Sequence, residues 1–483
     1  MDAESAARPG SQRRTKIVAT VGPATREVTV LRQILAAGAD VLRLNFSHGS
    51  PEEHGETVRR IREAAEALGR EVGILGDLPG PKLRIDEVGG GGVVTVHSGS
   101  ELVLTTKERL GNAERLSVSW DGLPKAVQAG EPVFLADGRV RLRVVDRGES
   151  EVRCLVEAGG SVASHQGINL PESHLPLPAA GEEDLSWVDF ACEAGVDLLA
   201  VSFVRSRADL VPVEERIRER GADIPLIAKI EKPQAADNAE ELVEAALSGI
   251  MVARGDLGIE IPIASVPVVQ KRLLALAGRR SKPAITATQM LASMVNADRP
   301  TRAEVTDVAN AIYDGTDAVM LSEETAVGRH PVEAVRVMDQ IACETEPDLP
   351  YSHWLFNRVA TESTDVAASV ARAAVGSTYT LGLAALVVPT TSGRTARLVS
   401  AHRPQVPVLA VSPRLETVRR LNLLFGVTCV LEDDWTSLRA LLRRCATLAA
   451  ECGVARSGDL IGITAGLPDQ KLGTNLFEVH RVP

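Results

Sequence analysis

Aromatic side chains are scarce in this chain, at 3% of 483 residues, so Val, Leu, Ile and Ala must fill any interior it builds. Cysteine is also thin. The six (Cys154, Cys192, Cys343, Cys429, Cys445 and Cys452) form no CxxC pair and no zinc-ligand spacing, which argues against a disulfide scaffold and for reduced thiols in a cytoplasmic protein. Positive charge is in deficit. A net charge of −11 argues against a nucleic-acid partner, and leaves any phosphorylated ligand dependent on local cations or metal. No apolar run reaches membrane-spanning length, so no membrane partner is expected. Residues 1–14 are polar, carry Pro9-Gly10 and lack an apolar segment, which predicts a loose extension rather than a signal peptide. A Walker A pattern and a GxGxxG after a strand are both missing, so the common nucleotide loops are absent.

What the chain has is alternation. At this length two or three domains are expected, and from Lys16 a short apolar strand is repeatedly followed by an amphipathic helix. Strands read at 16–22, 41–47, 72–78, 198–204, 226–231, 250–254, 284–289 and 318–322. Ser50-Pro51-Glu52-Glu53 supplies an N-cap, a first-turn proline and a capping-box Glu ahead of a helix over 57–68. Thr301-Arg302-Ala303-Glu304 does the same ahead of 305–313. The pattern predicts an α/β fold, a (β/α)8 TIM barrel over 15–81 and 179–345, with a doubly wound open sheet as the alternative. Over 82–178 the helical period vanishes. Glycines there punctuate alternating segments such as Glu101-Leu-Val-Leu-Thr105, predicting a small inserted β-barrel lid domain at the rim. Residues 343–364 read as an irregular linker. Residues 360–483 read as a C-terminal open α/β domain, with a helix over 366–379 and strands at 385–388, 408–411 and 460–464.

Charged residues stand inside apolar strands. In Pro225-Leu-Ile-Ala-Lys-Ile-Glu-Lys-Pro233, alternation puts Ile227, Lys229 and Glu231 on one face. One β/α unit later a second strand ends in Arg254-Gly255-Asp256. A salt bridge between neighbouring strands would satisfy these charges. Ionisable groups in such strands are nevertheless seldom present unless paired or used, and these sit where barrel enzymes gather active residues. Other strand ends add Arg43, Asn45, Ser47 and His48, then Asp77, Lys82 and Arg84, then Thr286, Thr288 and Gln289, and finally Ser322, Glu323 and Glu324. Alone, His48 reads as a structural histidine, and Ser322 and Glu324 as helix caps. Together, two carboxylates with further oxygens suit Mg²⁺ (or Mn²⁺), and Arg43, Arg84 and Lys229 suit phosphoryl oxygens. Gly255 lets backbone N–H groups approach an anion. The set predicts a phosphorylated small molecule held by metal. Spacing alone leaves phosphoryl transfer and an aldolase- or lyase-type enolate reaction both open.

The ordered motifs Lys16-Ile-Val-Ala-Thr-Val-Gly-Pro-Ala-Thr25, Arg43-Leu-Asn-Phe-Ser-His-Gly49, Ile227-Ala-Lys-Ile-Glu-Lys-Pro233, Met251-Val-Ala-Arg-Gly-Asp-Leu-Gly258, Ala287-Thr-Gln-Met-Leu291 and Gly315-Thr-Asp-Ala-Val-Met-Leu-Ser322 resemble the pyruvate kinase family over essentially the whole chain. The resemblance implies phosphoryl transfer from phosphoenolpyruvate to ADP, giving pyruvate and ATP. It implies a metal at Glu231 and Asp256, and Lys229 on the transferring phosphoryl group. Arg43 would bind phosphate, and Gly255, Asp256 and Thr288 would contact the substrate carboxylate. Thr288, Ser322 and Glu324 would lie near the proton delivered to the enolate. Thr20, Pro23, Asn45, His48, Arg84 and Asp137 would line the nucleotide side. A monovalent-cation region would comprise Asn45, Ser47 and Asp77, but Lys82 stands where K⁺-dependent members carry Glu, which predicts that K⁺ is not required. The turn Thr390, Thr391, Ser392, Gly393, Arg394, Thr395 resembles an effector phosphate site for a sugar phosphate or nucleotide, and the family implies a homotetramer. Three residues depart from the pattern. Gln166 replaces a Lys that reaches the nucleotide, Glu172 a Gly, and Glu323 the Gly of Leu-Ser-Gly-Glu-Thr. A second reading rests on these departures: a diverged relative with weak turnover that binds phosphometabolites in a regulatory role.

Overall fold

The structure is a computed structural model that describes residues 13–81, 83–107, 110–136, 138–173, 178–244, 248–359, 365–433, 437–466 and 473–483. Lys82 and Asp137 lie outside the described residues.

Eight parallel strands close into a barrel: β1 (Lys16–Val21), β2 (Val41–Asn45), β3 (Gly73–Asp77), β4 (Leu198–Val201), β5 (Leu226–Ile230), β6 (Gly249–Ala253), β7 (Ala284–Ala287) and β8 (Ala318–Leu321). Each pairs with the next, and β8 returns to β1, so the open-sheet alternative is excluded. The strands are apolar on both faces because both are covered. Val18, Leu75, Ala200, Ile227, Met251, Ile285 and Met320 fill the interior, while Ile17, Ile74, Ala228, Val252 and Leu321 pack outward against the helices. Helix starts follow their caps. Ser50 Oγ accepts from Glu53 N while Glu53 Oε2 accepts from Ser50 N, opening the helix Pro51–Glu66. Thr301 and Glu304 repeat the arrangement for Arg302–Tyr313. Both helices start ahead of their apolar periodicity, because the first turn is polar.

Between β3 and β4 the chain builds a six-stranded sheet with its own apolar core. Val140–Arg147 shows the alternation that produces it, with Val140, Leu142 and Val144 buried and Arg141 and Arg143 exposed. Both crossings between barrel and insertion are held by one side chain. Asp184 Oδ1 accepts from Gly80 N at 2.8 Å, and Oδ2 from Gly181 N at 3.0 Å.

The C-terminal domain is a five-stranded sheet ordered Val427–Leu431, Val408–Ser412, Ala385–Pro389, Leu460–Ala465 and Leu476–Arg481, the last strand antiparallel. The first and last of these were not expected. It docks under the barrel, where Leu423 joins the interior cluster and Lys16 Nζ donates to Val427 O at 2.7 Å. Two further expectations are corrected. Arg13 and Arg14 are not loose: Arg13 bonds Asp40 and Asp339, and Arg14 N bonds Glu346, because these carboxylates need cationic and N–H partners at the barrel floor. The expected linker carries a helix, Tyr351–Asn357, whose Tyr351 and Leu355 are buried. Among the described residues no helix is long and apolar enough to cross a membrane.

Candidate active site

Strand alternation carries the charges into the barrel mouth. Val18, Val41, Leu75 and Ile227 belong to the interior layer, so Thr20, Arg43, Asp77 and Lys229, each two residues on, stand above it on the same face. Ser202 and Ser322 follow Ala200 and Met320 in the same way. Lys229 Nζ lies 2.9 Å from Glu231 Oε1 and 3.1 Å from Asp77 Oδ1, and donates to Ser202 Oγ at 2.7 Å. Ser202 donates onward to Leu78 O at 2.7 Å. Arg43 Nε donates to Asp77 Oδ2 at 2.7 Å and Nη1 to Thr20 Oγ1 at 3.1 Å. Glu231 Oε2 accepts from Phe203 N at 2.7 Å.

Burial alone would neutralise these groups, and their neighbours decide the outcome. Desolvation works against the Lys229 ammonium, but Asp77 and Glu231 outweigh it and hold its pKa above the ordinary lysine value. Asp77 is likewise desolvated, yet Lys229 and Arg43 keep its carboxyl below the usual range. Glu231 goes the other way: burial, reinforced by the nearby Asp256 charge, raises it despite Lys229. Two neighbouring carboxylates at this depth call for more positive charge than the protein supplies. Glu231 Oε1 and Asp77 Oδ1 are also buried without a well-directed hydrogen bond. Glu231 with Asp256 therefore fits a hard divalent cation. Among the described residues no three His, Cys, Asp or Glu side chains gather as a metal cage.

Thr288 reaches the site by a different route. Ala287 belongs to the interior layer, so regular alternation would turn Thr288 away. Instead Thr288 and Gln289 adopt φ of +75° and +55°, and the chain turns sharply. Arg254 clamps the turn, with Nε to Ala287 O at 3.2 Å and Nη2 to Thr288 O at 2.9 Å, and is itself held by Asp307 at 2.8 Å. Gly255 leaves the space: a Cβ there would lie 2.5 Å from Thr288 Cγ2. Thr286, by contrast, is not in the mouth; its hydroxyl donates to Thr316 Oγ1 in the barrel wall. Glu324 is a buried brace, accepting from Ser322 N at 2.7 Å and Leu291 N at 3.1 Å, which ties the β8 loop to the β7 loop.

The residues read as lining a nucleotide are more dispersed. Thr20 joins the Arg43 chain, Asn45 Oδ1 accepts from Ser47 N, and the His48 carbonyl lies 2.7 Å from His54 Nε2. Pro23 is exposed. Arg84 is tied to the inserted domain through His165 O at 3.0 Å. Gln166 folds back on its own turn, accepting from Ala163 N at 2.9 Å, and Glu323 is an exposed first-turn residue. In the turn 390–395, Thr390 Oγ1 accepts from Gly393 N, and Arg394 pairs with Asp365 at 2.6 Å. Ser202 and Phe203 were missed by the sequence reading. Their signal was Val201-Ser-Phe at the end of β4, the interior-facing strand end not read for chemistry.

Fold and rim together define a (β/α)8-barrel protein with a largely buried lysine held charged among carboxylates at the barrel mouth. Comparison with known proteins narrows this. The family described as "Pyruvate kinase, barrel domain" matches residues 12–335, and "Pyruvate kinase, alpha/beta domain" matches residues 368–480. A pyruvate kinase of Bacillus licheniformis is 42% identical over 97% of this chain and 80% of its own length. One from Thermococcus litoralis is 41% identical over 97% of this chain and 99% of its own. A crystal structure of a pyruvate kinase from Cryptosporidium parvum superposes with a TM-score of 0.92 at 35% identity, covering 100% of this chain and 98% of that one. The chain belongs to the pyruvate kinase family.

Proposed function

We propose that the chain transfers the phosphoryl group of phosphoenolpyruvate to ADP in the cytoplasm. The bond from phosphorus to the enol oxygen breaks and one to the terminal phosphate oxygen of ADP forms. The released enolate takes a proton at its methylene carbon to become pyruvate. The observation that carries this reading is Lys229, largely withdrawn from solvent yet held charged by Asp77 and Glu231. Such a fixed cation stabilises charge on the moving phosphoryl group without reorganisation. Arg43 takes a phosphate oxygen by its fork geometry. Gly255, Asp256 and Thr288 meet the substrate carboxylate, and Thr288 with Ser322 and Glu324 lies beside the proton delivery. Glu231 and Asp256 hold Mg²⁺ (or Mn²⁺), which when bound neutralises phosphate charge. Thr20, Pro23, Asn45, His48, Arg84 and Asp137 form the nucleotide side.

K⁺ is not required in this reading. Lys82 supplies the positive charge by sequence position, and both Asp77 oxygens already face cations. The turn 390–395 takes an effector phosphate from a sugar phosphate or nucleotide, supported by its hydroxyls and Gly393 at φ +81°. The assembly is a homotetramer by family likeness. Pyruvate formation at fixed ionic strength, with and without K⁺, tests the cation claim. Equal turnover is expected, and a large stimulation by K⁺ contradicts it while leaving the reaction itself in place.

A further inference from the structure

Glu260 ends the short helix Arg254–Glu260, whose first turn carries Gly255 and Asp256. Residues four apart share a helix face, so Glu260 lies one turn behind Asp256 on the same side. Its side chain is almost wholly withdrawn from solvent. Oε1 nevertheless takes two donors from distant parts of the chain. Lys232 Nζ, from the residue after Glu231, donates at 2.6 Å. Asn169 Nδ2, from the strand Ile168–Asn169 of the inserted domain, donates at 3.2 Å. Oε2 accepts no hydrogen bond from the described residues, so Oε1 carries both links. The insertion rests on the same helix a second time, where a Cβ on Gly138 would lie 3.9 Å from the Ile259 side chain.

Lys232 extends the connection to Glu231. Its ammonium sits 5.7 Å from the centroid of the Phe203 ring, within cation–π reach. Phe203 N donates to Glu231 Oε2 at 2.7 Å, with Phe203 at φ +55°. A bulky residue is strained in that left-handed region and stays there only where its surroundings hold it. Lys232 holds the ring, and so does Gly80 at the first crossing into the insertion, where a Cβ would come 2.7 Å from Phe203 Cδ2. Both ends of the insertion therefore bear on one set of side chains. A purely structural ion pair needs only Lys232 and Glu260, and leaves the Asn169 bond and the wedged Phe203 unexplained.

We propose that Glu260 is a positioning residue for the reaction: through Asn169 it sets the inserted domain over the barrel mouth, and through Lys232 and Phe203 it orients the Glu231 carboxylate for the divalent cation. This role rests on Glu231 and Asp256 holding the metal, as proposed above. Groups that orient a metal ligand typically contribute about 10- to 100-fold in metal affinity. Glu260 also balances the Lys232 charge, which would otherwise stand unopposed one residue from a cation site.

Mn²⁺ titration of the full-length protein, read by electron paramagnetic resonance of the free ion, tests this without turnover. Glu231→Gln should abolish the site. Glu260→Gln should weaken it at least about tenfold with an unchanged far-ultraviolet spectrum, and Glu260→Asp should recover part of the affinity. Asn169→Ala leaves the Lys232–Glu260 pair in place. It should speed amide exchange at Gly80 and Gly181, the crossings held by Asp184, about tenfold. It should also raise KM for ADP more than it lowers kcat, because Arg84 is tied to the inserted domain. Native Mn²⁺ affinity in Glu260→Gln while Glu231→Gln loses the ion, or native exchange at both crossings in Asn169→Ala, would overturn the proposal alone. Binding that survives Glu231→Gln would overturn the metal reading and the proposal with it.

Discussion

Lys229 has two carboxylates and a hydroxyl around one ammonium, and that surrounding explains how it stays charged with little solvent around it. Lys229→Met keeps the apolar stem and removes the charge, so kcat should fall by at least about a hundredfold, with a smaller change in KM for phosphoenolpyruvate. Steady-state kinetics measure both. A fall confined to KM would assign Lys229 to binding alone. Lys229, Glu231 and Asp256 were legible in the sequence because ionisable residues in apolar strands are conspicuous. Ser202 was not, since a serine after Leu-Leu-Ala-Val looks like any strand end. Nor could sequence show that Glu324 spends both its oxygens on the backbone of Ser322 and Leu291.

Among the elements, the turn after β7 departs most from regular geometry, and the site depends on it. A β-branched residue at φ +75° is strained, and the Arg254–Asp307 clamp opposes its relaxation. Gly255→Ala would drive a methyl into Thr288 Cγ2. Overpacking of this kind costs about 1–3 kcal/mol, while displacing a positioned group by about 1 Å costs roughly a hundredfold in rate. The variant should therefore remain folded by circular dichroism and lose most of its activity; full activity would show that Thr288 does not act from its observed position. The eight strands and their helices were legible because alternation and capping are local. The strand ends were not: β4 and β7 stop at Val201 and Ala287, and positive φ at Phe203, Thr288 and Gln289 breaks the alternation without leaving a compositional trace. The helix Tyr351–Asn357 was missed for a related reason, since its seven residues are too few to show a period.

At the scale of the whole molecule, the three domains were legible as changes of period, but their docking was not. Arg403, fully buried, joins the C-terminal domain to the barrel through Asp317 and Gly315 O, a long-range contact with no sequence signature. Its neighbour His402 gives this docking region a pH dependence. Burial, aided by Arg372 and Arg358, pushes His402 from the ordinary 6.5 down to about 4. The folded form then stays neutral while the unfolded chain takes up a proton. Stability from this group is complete above pH 6.5 and is lost as pH falls toward 4, by at most roughly 3 kcal/mol. Urea unfolding across that window should show His402→Gln losing less stability than the native chain, and parallel curves would remove His402 from the account. The most direct test of the central claim is pyruvate formation from phosphoenolpyruvate and ADP during a Mg²⁺ titration, for the native chain and for Glu231→Gln. The account predicts Mg²⁺-dependent turnover that the folded variant loses; native-like turnover in the variant, or none in the native chain while it still binds Mg²⁺ and phosphoenolpyruvate, would contradict it.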